Sequence, residues 1–400
     1  MKLKIGIAVI ILSLTLNAQD KKYPFVNYSE NYIKMGRDSS AMMQFYIKLH
    51  ELCNGNRKEL VIAHIGGSHV QGGFWGDELS VRLQTFAKTT GGGIFAFPFQ
   101  FIKSNTPPYY HTFTNGKWKR CRSALSKEFC PAIGMAGVTA ASNDSTNYFG
   151  VKLDSTHRHP SFNCIRVYHN FNSSFTFSIS GHADAIREEK ANDGYTLFKL
   201  NKPIDSVRFV LQRSDTLQKD FILYGFDLRN SLKPGIYYAA LGSNGASTQS
   251  VLRCSKFEPQ LKSIAPDLII LSLGVNDVQD KNFSERDFIQ HYDSLINRIK
   301  EAAPHAAILF TTVSDNFIRR RTPNKRSNVA ESSFGKIMEQ YGAAEWDWFQ
   351  VMGGYKSILK WIKAGYAKKD RVHFTARGYY LVADLMADAL IKSYQNSFRN

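Results

Sequence analysis

Leu60-Val61-Ile62-Ala63-His64-Ile65-Gly66-Gly67-Ser68-His69-Val70-Gln71-Gly72-Gly73 is the stretch on which the fold of this 400-residue chain turns. Its first six residues form a short, mostly apolar run with β-branched side chains, the pattern of a strand buried on both faces. Gly66 and Gly67 end the run, and Asp77 to Leu83 then takes up helical spacing. Ser68 therefore falls where a strand hands over to a helix, outside the carboxyl end of the strand, where open α/β sheets place their sites. Glycines there let a ligand approach the backbone, and free N–H groups can face a developing negative charge. A strand-ending turn with an ordinary serine would look the same.

Working outward, the α/β pattern continues beyond residue 233. Gly235 to Leu241 reads as a strand ending in Gly242-Ser243-Asn244-Gly245-Ala246-Ser247, with a helix expected over Thr248 to Ser263. Pro266 to Leu273 is a further strand, ending in Gly274-Val275-Asn276-Asp277, followed by a helix from Glu285 to Ala302. A strand over Ala306 to Thr312, a helix over Ala330 to Tyr341, a strand near Ala344 to Phe349 and a last helix from Ala376 to Tyr394 complete the series. Alternating strands and helices call for a parallel sheet covered on both faces. From about Lys103 to Lys233 helical spacing gives way to short alternating runs such as Phe162 to Tyr168, Ser174 to Ile179 and Ser206 to Leu211, the signature of an antiparallel sandwich inserted into the α/β chain.

Bulk properties set the surroundings. The net charge is +17, which favours acidic partners such as an anionic polymer, a membrane surface or nucleic acid. The strongest basic runs are Lys117-Trp118-Lys119-Arg120 and Arg319-Arg320-Arg321-Thr322-Pro323-Asn324-Lys325-Arg326. They read either as solvated loops or as contacts to an anionic glycan. Met1 to Lys4 is a short basic start, Ile5 to Leu16 an apolar run too short to be a confident membrane span, and Asn17 to Asp20 turns polar. This is the pattern of a secretory signal peptide over residues 1–18, which implies a secreted, periplasmic or cell-envelope protein with no stable membrane insertion. Such a chain, lacking any nucleic-acid fold signature, is not expected to bind nucleic acid. The five cysteines show no C-x-x-C spacing, so no zinc site is expected, and Cys121 with Cys130 is a disulfide candidate.

Three strand ends with small or polar signatures converge on one edge of a parallel sheet, and Asp370-Arg371-Val372-His373 precedes the last helix. An Asp three residues before a His can hold the imidazole Nδ1 and leave Nε2 free to take a proton from a serine. Asn244-Gly245 and Gly274-Val275-Asn276-Asp277 can supply backbone and side-chain donors to an oxyanion. Each motif has a purely structural reading on its own; together, in the order Ser, Gly, Asn, Asp-His, they assemble the parts of a serine esterase.

These stretches resemble the SGNH (GDSL-type) hydrolase superfamily over roughly residues 58–90 and 235–395. The resemblance implies a flavodoxin-like α/β hydrolase domain of about five parallel strands with helices on both faces and a β-sandwich inserted between the Leu60 and Gly235 strands. It implies Ser68 as nucleophile, His373 as base with Asp370 as its partner, and an oxyanion hole made by the Ser68 and Gly245 N–H groups and the Asn276 amide. No metal or cofactor is called for. The family usually has Asp before the nucleophile; here that residue is Gly67, which puts turn rigidity and activity in question. The β-rich insertion and the Gly242-Ser243-Asn244-Gly245-Ala246 turn are similar to those of bacterial peptidoglycan O-acetylesterases. The expected organisation is a hydrolase domain over 19–100 and 234–400 with a carbohydrate-binding-module-like insertion over 101–233, in which Tyr109, Tyr110 and Trp118 read equally as residues that stack on sugars or as packing. The expected substrate is an acetylated polysaccharide such as peptidoglycan. An O-acetyltransferase using the same site and a decayed glycan-binding surface protein are the competing expectations.

Overall fold

The computed structural model describes residues 23–125, 130, 132–156, 158–181, 186–191 and 194–399; the expected signal peptide, residues 1–18, lies outside them. The chain enters through a short edge strand, β1 (Ile33–Met35), and helix α1 (Ser40–Cys53), then forms β2 (Glu59–Gly66), the strand that leads to Ser68. Helices α2 (Ser68–Gln71) and α3 (Phe74–Ala87) follow. Next comes a strand that the sequence did not announce, β3 (Gly91–Ala96), which pairs in parallel with the later strand over Gly235 to Tyr238. Its run of three glycines is required for close approach. A Cβ at Gly91 would stand 1.9 Å from the Lys233 carbonyl oxygen, and one at Gly93 1.9 Å from that of Leu228. The inserted segment therefore leaves the chain after this second parallel strand.

The insertion comprises β4 (Tyr110–Thr114), β5 (Lys119–Arg122), β6 (Val138–Ser142), β7 (Thr146–Leu153), β8 (Phe162–His169), β9 (Phe175–Ser180), β10 (Ile186–Ala191), β11 (Tyr195–Ile204), β12 (Ser206–Arg213) and β13 (Phe221–Asn230). Strands β4, β7, β12 and β9 form one antiparallel sheet. The facing sheet is not a separate body, because β13 pairs with β3 and continues the central sheet outward through β8, β11 and β10. Between the two layers lies a phenylalanine cluster, with Phe149 and Phe209 rings 5.3 Å apart and Phe209 and Phe226 6.1 Å apart. These rings account for the use of Phe in this part of the chain: alternate positions on both sheets must fill a core about 10 Å thick. Tyr109 and Tyr110 are buried in the same core, Tyr110 donating to the Phe97 carbonyl at 3.0 Å, and half-buried Trp118 packs on Phe101. They are packing residues rather than an exposed sugar platform. Cys121 and Cys130 are disulfide-bonded.

The α/β chain resumes with β14 (Gly235–Gly242), α4 (Thr248–Leu252), α5 (Phe257–Ile264), β15 (Leu268–Ser272), α6 (Val275–Gln279), α7 (Glu285–Ala302) and β16 (Ala307–Thr311). A hairpin, β17 (Phe317–Ile318) and β18 (Thr322–Pro323), leads to α8 (Arg326–Tyr341), β19 (Ala344–Trp346), α9 (Trp348–Val351), α10 (Ile358–Lys363) and α11 (Ala376–Ser397). The single helix expected from Thr248 is broken at Arg253–Lys256. There the Arg298 guanidinium takes the Leu252 and Cys254 carbonyls at 2.8 Å each, and the Lys256 N–H turns to Ile133.

The central sheet runs β1-β19-β16-β15-β2-β14-β3, with six parallel strands from β19 to β3 and antiparallel β1 on the edge. Alternation along β2 feeds both faces. Val61, Ala63 and Ile65 pack with Phe257, Leu261, Tyr292 and Phe334 under α4, α5, α7 and α8. Leu60 and Ile62 pack with Met42, Phe45, Leu79 and Leu385 under α1, α3 and α11. Burial on both faces explains why the strand reads as a continuous apolar run. His64 is the polar exception. Its Nδ1 lies 2.7 Å from the Tyr238 hydroxyl and its Nε2 2.7 Å from Ser272 Oγ, which also accepts from Thr311 at 2.8 Å. This row crosses β14, β2, β15 and β16, and burial pulls the His64 pKa down to about 3, leaving a neutral ring that satisfies its neighbours.

Candidate active site

Parallel strands deliver their carboxyl ends to one edge, and the turns after β2, β14 and β15 meet there. Gly67 is the last residue before α2, and Ser68 is the first within it, so its N–H is one of those a helix leaves without an internal partner. Ser68 Oγ lies 2.9 Å from His373 Nε2, across 305 residues of chain. His373 Nδ1 lies 2.9 Å from Asp370 Oδ2, while Asp370 Oδ1 accepts from the Val372 and His373 backbone N–H groups at 3.0 and 2.9 Å. Burial works against the Asp370 charge, but the hydrogen bonds from His373 and Val372 outweigh it and hold the carboxyl below its usual range. An ionised Asp370 thus fixes the imidazole by one oxygen and its own loop by the other.

The opposite wall comes from the turns after β14 and β15. Gly245 has φ +81°, a conformation that favours glycine, and its N–H donates to no other described residue. Asn276 lies in α6, and its Nδ2 donates to the Ala246 carbonyl at 2.8 Å. An amide nitrogen carries two hydrogens, so one remains for a ligand. The same nitrogen is 3.0 Å from where a Cβ on Gly67 would stand. Ser68, Gly245, Asn276, Asp370 and His373 are thus brought together around one position. A cleft of about 270 Å³ opens beside Asn276, lined by Ser247, Asp280, Phe283, Asp287 and His291 among others. Among the described residues no group of three or more His, Cys, Asp or Glu side chains is arranged to hold a metal ion.

Three residues that sequence reasoning gave no role support this arrangement. Gln71, three residues after Ser68 on α2, accepts from the Asn244 N–H at 2.6 Å and donates to Ser104 Oγ and the Asn105 carbonyl at 3.0 and 2.8 Å. It ties the Gly245 turn to the segment after β3. Asp277, beside Asn276, accepts from the Thr248 N–H at 3.1 Å and from its hydroxyl, fixing the start of α4. His69 lies behind His373 with ring centres 5.5 Å apart and its Nδ1 2.8 Å from the Tyr379 hydroxyl. Burial, with the His373 charge, pulls the His69 pKa down to about 3, so it backs the site as a neutral ring. Gln71 stands three residues after Ser68 and Asp277 directly after Asn276, but their partners lie 29 to 173 residues away. Asp347, whose place after the last parallel strand suits either a pocket wall or a buried cap, is the cap: it accepts from the Gln350 N–H and from Thr312 and Lys34.

Residues 220–381 match the GDSL-like Lipase/Acylhydrolase family. This segment of the chain is similar to that acylhydrolase family. By that family it is a carboxylic ester hydrolase; the matched segment contains Gly245, Asn276, Asp370 and His373, and the fold adds Ser68 from outside it. A solved structure of a peptidoglycan O-acetylesterase is similar over 91% of this chain and 99% of its own, with 21% identity and a TM-score of 0.75, so the two share a fold including the β-rich insertion. The lipase/acylhydrolase from Enterococcus faecalis aligns over 40% of this chain and 77% of its own at 19% identity and TM-score 0.32, and the acetyl xylan esterase AlAXEase over 38% and 81% at 20% and 0.32. No curated protein matches the sequence.

Two predictions arise from this geometry. Restoring the usual family residue by Gly67→Asp is expected to lower kcat about tenfold, because the new Cβ presses on the Asn276 amide and displaces a donor. Steady-state kinetics beside a melting curve checks this; unchanged or higher kcat would mean the amide yields freely. The second concerns Asp315, just past β16 on the same sheet edge. It is buried, its Oδ2 accepts from the Ile358 N–H at 2.9 Å, and its Oδ1 has no partner among the described residues. Burial raises its pKa from 3.8 to about 6 despite backbone hydrogen bonds. The folded chain then holds a proton that the unfolded chain releases near pH 4, so this contribution is complete below about pH 4 and is lost as pH rises through 6. Asp315→Asn removes that loss, and its stability relative to the parent should rise by about 2 kcal/mol between pH 4 and pH 8. Denaturant melts across that range test it; a pH-independent difference would contradict it.

Proposed function

We propose that this hydrolase removes O-acetyl groups from a cell-envelope polysaccharide, peptidoglycan being the leading candidate, through an acetyl-enzyme on Ser68. The single observation that carries the reading is the hydrogen-bond chain from Ser68 through His373 to Asp370. Ser68 Oγ attacks the acetyl carbon while its proton passes to His373 Nε2, and Asp370 holds the ring by Nδ1. The carbonyl π electrons move onto oxygen, opposite the Ser68 and Gly245 N–H groups and the Asn276 amide. Collapse breaks the bond to the sugar oxygen, which leaves with the proton from His373. Water then adds to acetyl-Ser68, giving its proton to His373, and acetate departs as Ser68 is reprotonated.

Acetyl on a polysaccharide is supported by the shared fold, insertion included, with a structure named as a peptidoglycan O-acetylesterase, and by the positive charge of the chain. The N-terminal pattern supports action outside the cytoplasm. In this reading 19–100 and 234–400 form the catalytic part and 101–233 the inserted module. The test is product analysis with the purified mature chain on O-acetylated peptidoglycan, acetylated xylan and 4-nitrophenyl acetate. Free acetate in proportion to ester lost, fastest per ester on peptidoglycan, is the expected result. Acetyl recovered on an acceptor sugar would instead assign a transferase, and glycan binding without turnover of any ester a binding protein.

A further inference from the structure

The basic run Arg319 to Arg326 is not a remote loop. Arg319, Arg320 and Arg321 form the exposed tip of the hairpin β17–β18, with Arg319 at φ +49° and Arg320 at +62°. The base of this hairpin is fastened to both halves of the active site. The Phe317 N–H donates to the Arg371 carbonyl at 3.1 Å, two residues before His373, and the Arg371 guanidinium lies 4.9 Å over the Phe317 ring. On the other side Gln279, in the helix that carries Asn276, donates to Asn316 Oδ1 at 2.7 Å and to the Phe317 carbonyl at 3.2 Å. Asn324 adds a bond to the Val278 carbonyl at 3.1 Å. The hairpin therefore bridges the base and the amide donor and stands at the rim of the site.

The charge along the hairpin and the His373 loop is one-sided, in contrast to the cleft on the Asn276 side with its Asp280 and Asp287. Residues 316–330 contain no acid, and between 348 and 372 the only acid is Asp370, already committed to His373. Arg326 is used internally, against the Lys281 carbonyl at 3.2 Å. Arg319, Arg320, Arg321 and Lys325 have no carboxylate partner among the described residues, and exposed Lys368 and Lys369 extend the patch along the His373 loop. Clustered cations without partners cost self-repulsion, which a bound polyanion relieves. We propose that the Arg319–Arg321 hairpin is a docking site for a carboxylate-bearing glycan chain, which holds the polymer across the rim so that its acetyl ester reaches Ser68. A lipid surface fits less well, because no apolar residue lies between Arg319 and Thr322 to enter it. This rests on the esterase reading above and adds to it the charge of the polymer.

The test compares the parent with R319Q/R320Q/R321Q and R319E/R320E/R321E, each checked for an unchanged melting temperature. Substrates are acetylated polygalacturonate, neutral acetylated xylan and 4-nitrophenyl acetate. The charge-reversed variant should lose about tenfold or more in kcat/KM on the acidic polymer, chiefly through KM, with the neutralised variant between and both neutral substrates unchanged. The parent's preference for the acidic polymer should shrink between about 20 and about 300 mM salt. Equal effects on all three substrates, or none on the acidic polymer, would overturn the proposal. If the parent cleaves no ester, the esterase reading fails, and co-sedimentation with polygalacturonate still decides the hairpin. Retention of the parent but not the charge-reversed chain supports it. Equal retention, or binding to phosphatidylglycerol vesicles and not to the polymer, overturns it.

Discussion

Ser68→Ala is expected to lower kcat/KM on a simple acetyl ester by about four to six powers of ten, and His373→Ala by a similar factor. Without Oγ no acyl-enzyme forms; without the imidazole the hydroxyl keeps its proton and attacks poorly. The 2.9 Å contact between them makes the pair one device, so the double variant should be no slower than the worse single one. Stability is expected to hold. Alanine suits the first position of α2, and Ser68 Oγ is bonded in the described structure only to His373. Losing His373 leaves Asp370 still accepting two backbone N–H bonds. Initial-rate kinetics with melting curves checks both halves. Activity within tenfold of the parent in either variant would remove Ser68 or His373 from the chemistry.

Asn276→Ala should cost about 10²- to 10³-fold in kcat with KM little changed, because its amide meets charge that exists only as the ester carbonyl becomes tetrahedral. The substitution also removes the 2.8 Å bond to the Ala246 carbonyl, a loss of about 1 kcal/mol in stability. The turn that carries Gly245 keeps two other anchors, the Asn244 bond to Gln71 and the Thr248 bonds to Asp277. Gly245 therefore stays in position, and the kinetic loss reports the amide. A rise in KM at constant kcat would instead mean that Asn276 grips the ground state.

The site was legible because most of its pieces are local signals at strand ends. An apolar run closing on Gly66-Gly67-Ser68, a Gly-x-Asn-Asp turn and an Asp three residues before a His each carry their meaning within a few residues. What stayed hidden depends on distant partners. The glycines of β3 give no strand pattern of their own, and their reason is the backbone of Lys233 and Leu228 pressed against them. The continuity of the sheet from the hydrolase part into the insertion needs β3 beside β13, 125 or more residues later in the chain, such as Ile94 opposite Leu228. Gln71 and Asp277 look unremarkable in sequence because the groups they hold are remote. Tyr109 and Tyr110 read equally as a sugar platform or as packing, because aromatic residues look alike on a surface and in a core, and only burial separates the two.

Covalent trapping decides whether Ser68 is a nucleophile activated by His373. The purified chain would be treated with a fluorophosphonate, digested and read by mass spectrometry. The expected result is one adduct on the peptide containing Ser68, absent in Ser68→Ala and lost or greatly slowed in His373→Ala. Equal labelling of the parent and Ser68→Ala, or an adduct on another residue, would contradict it.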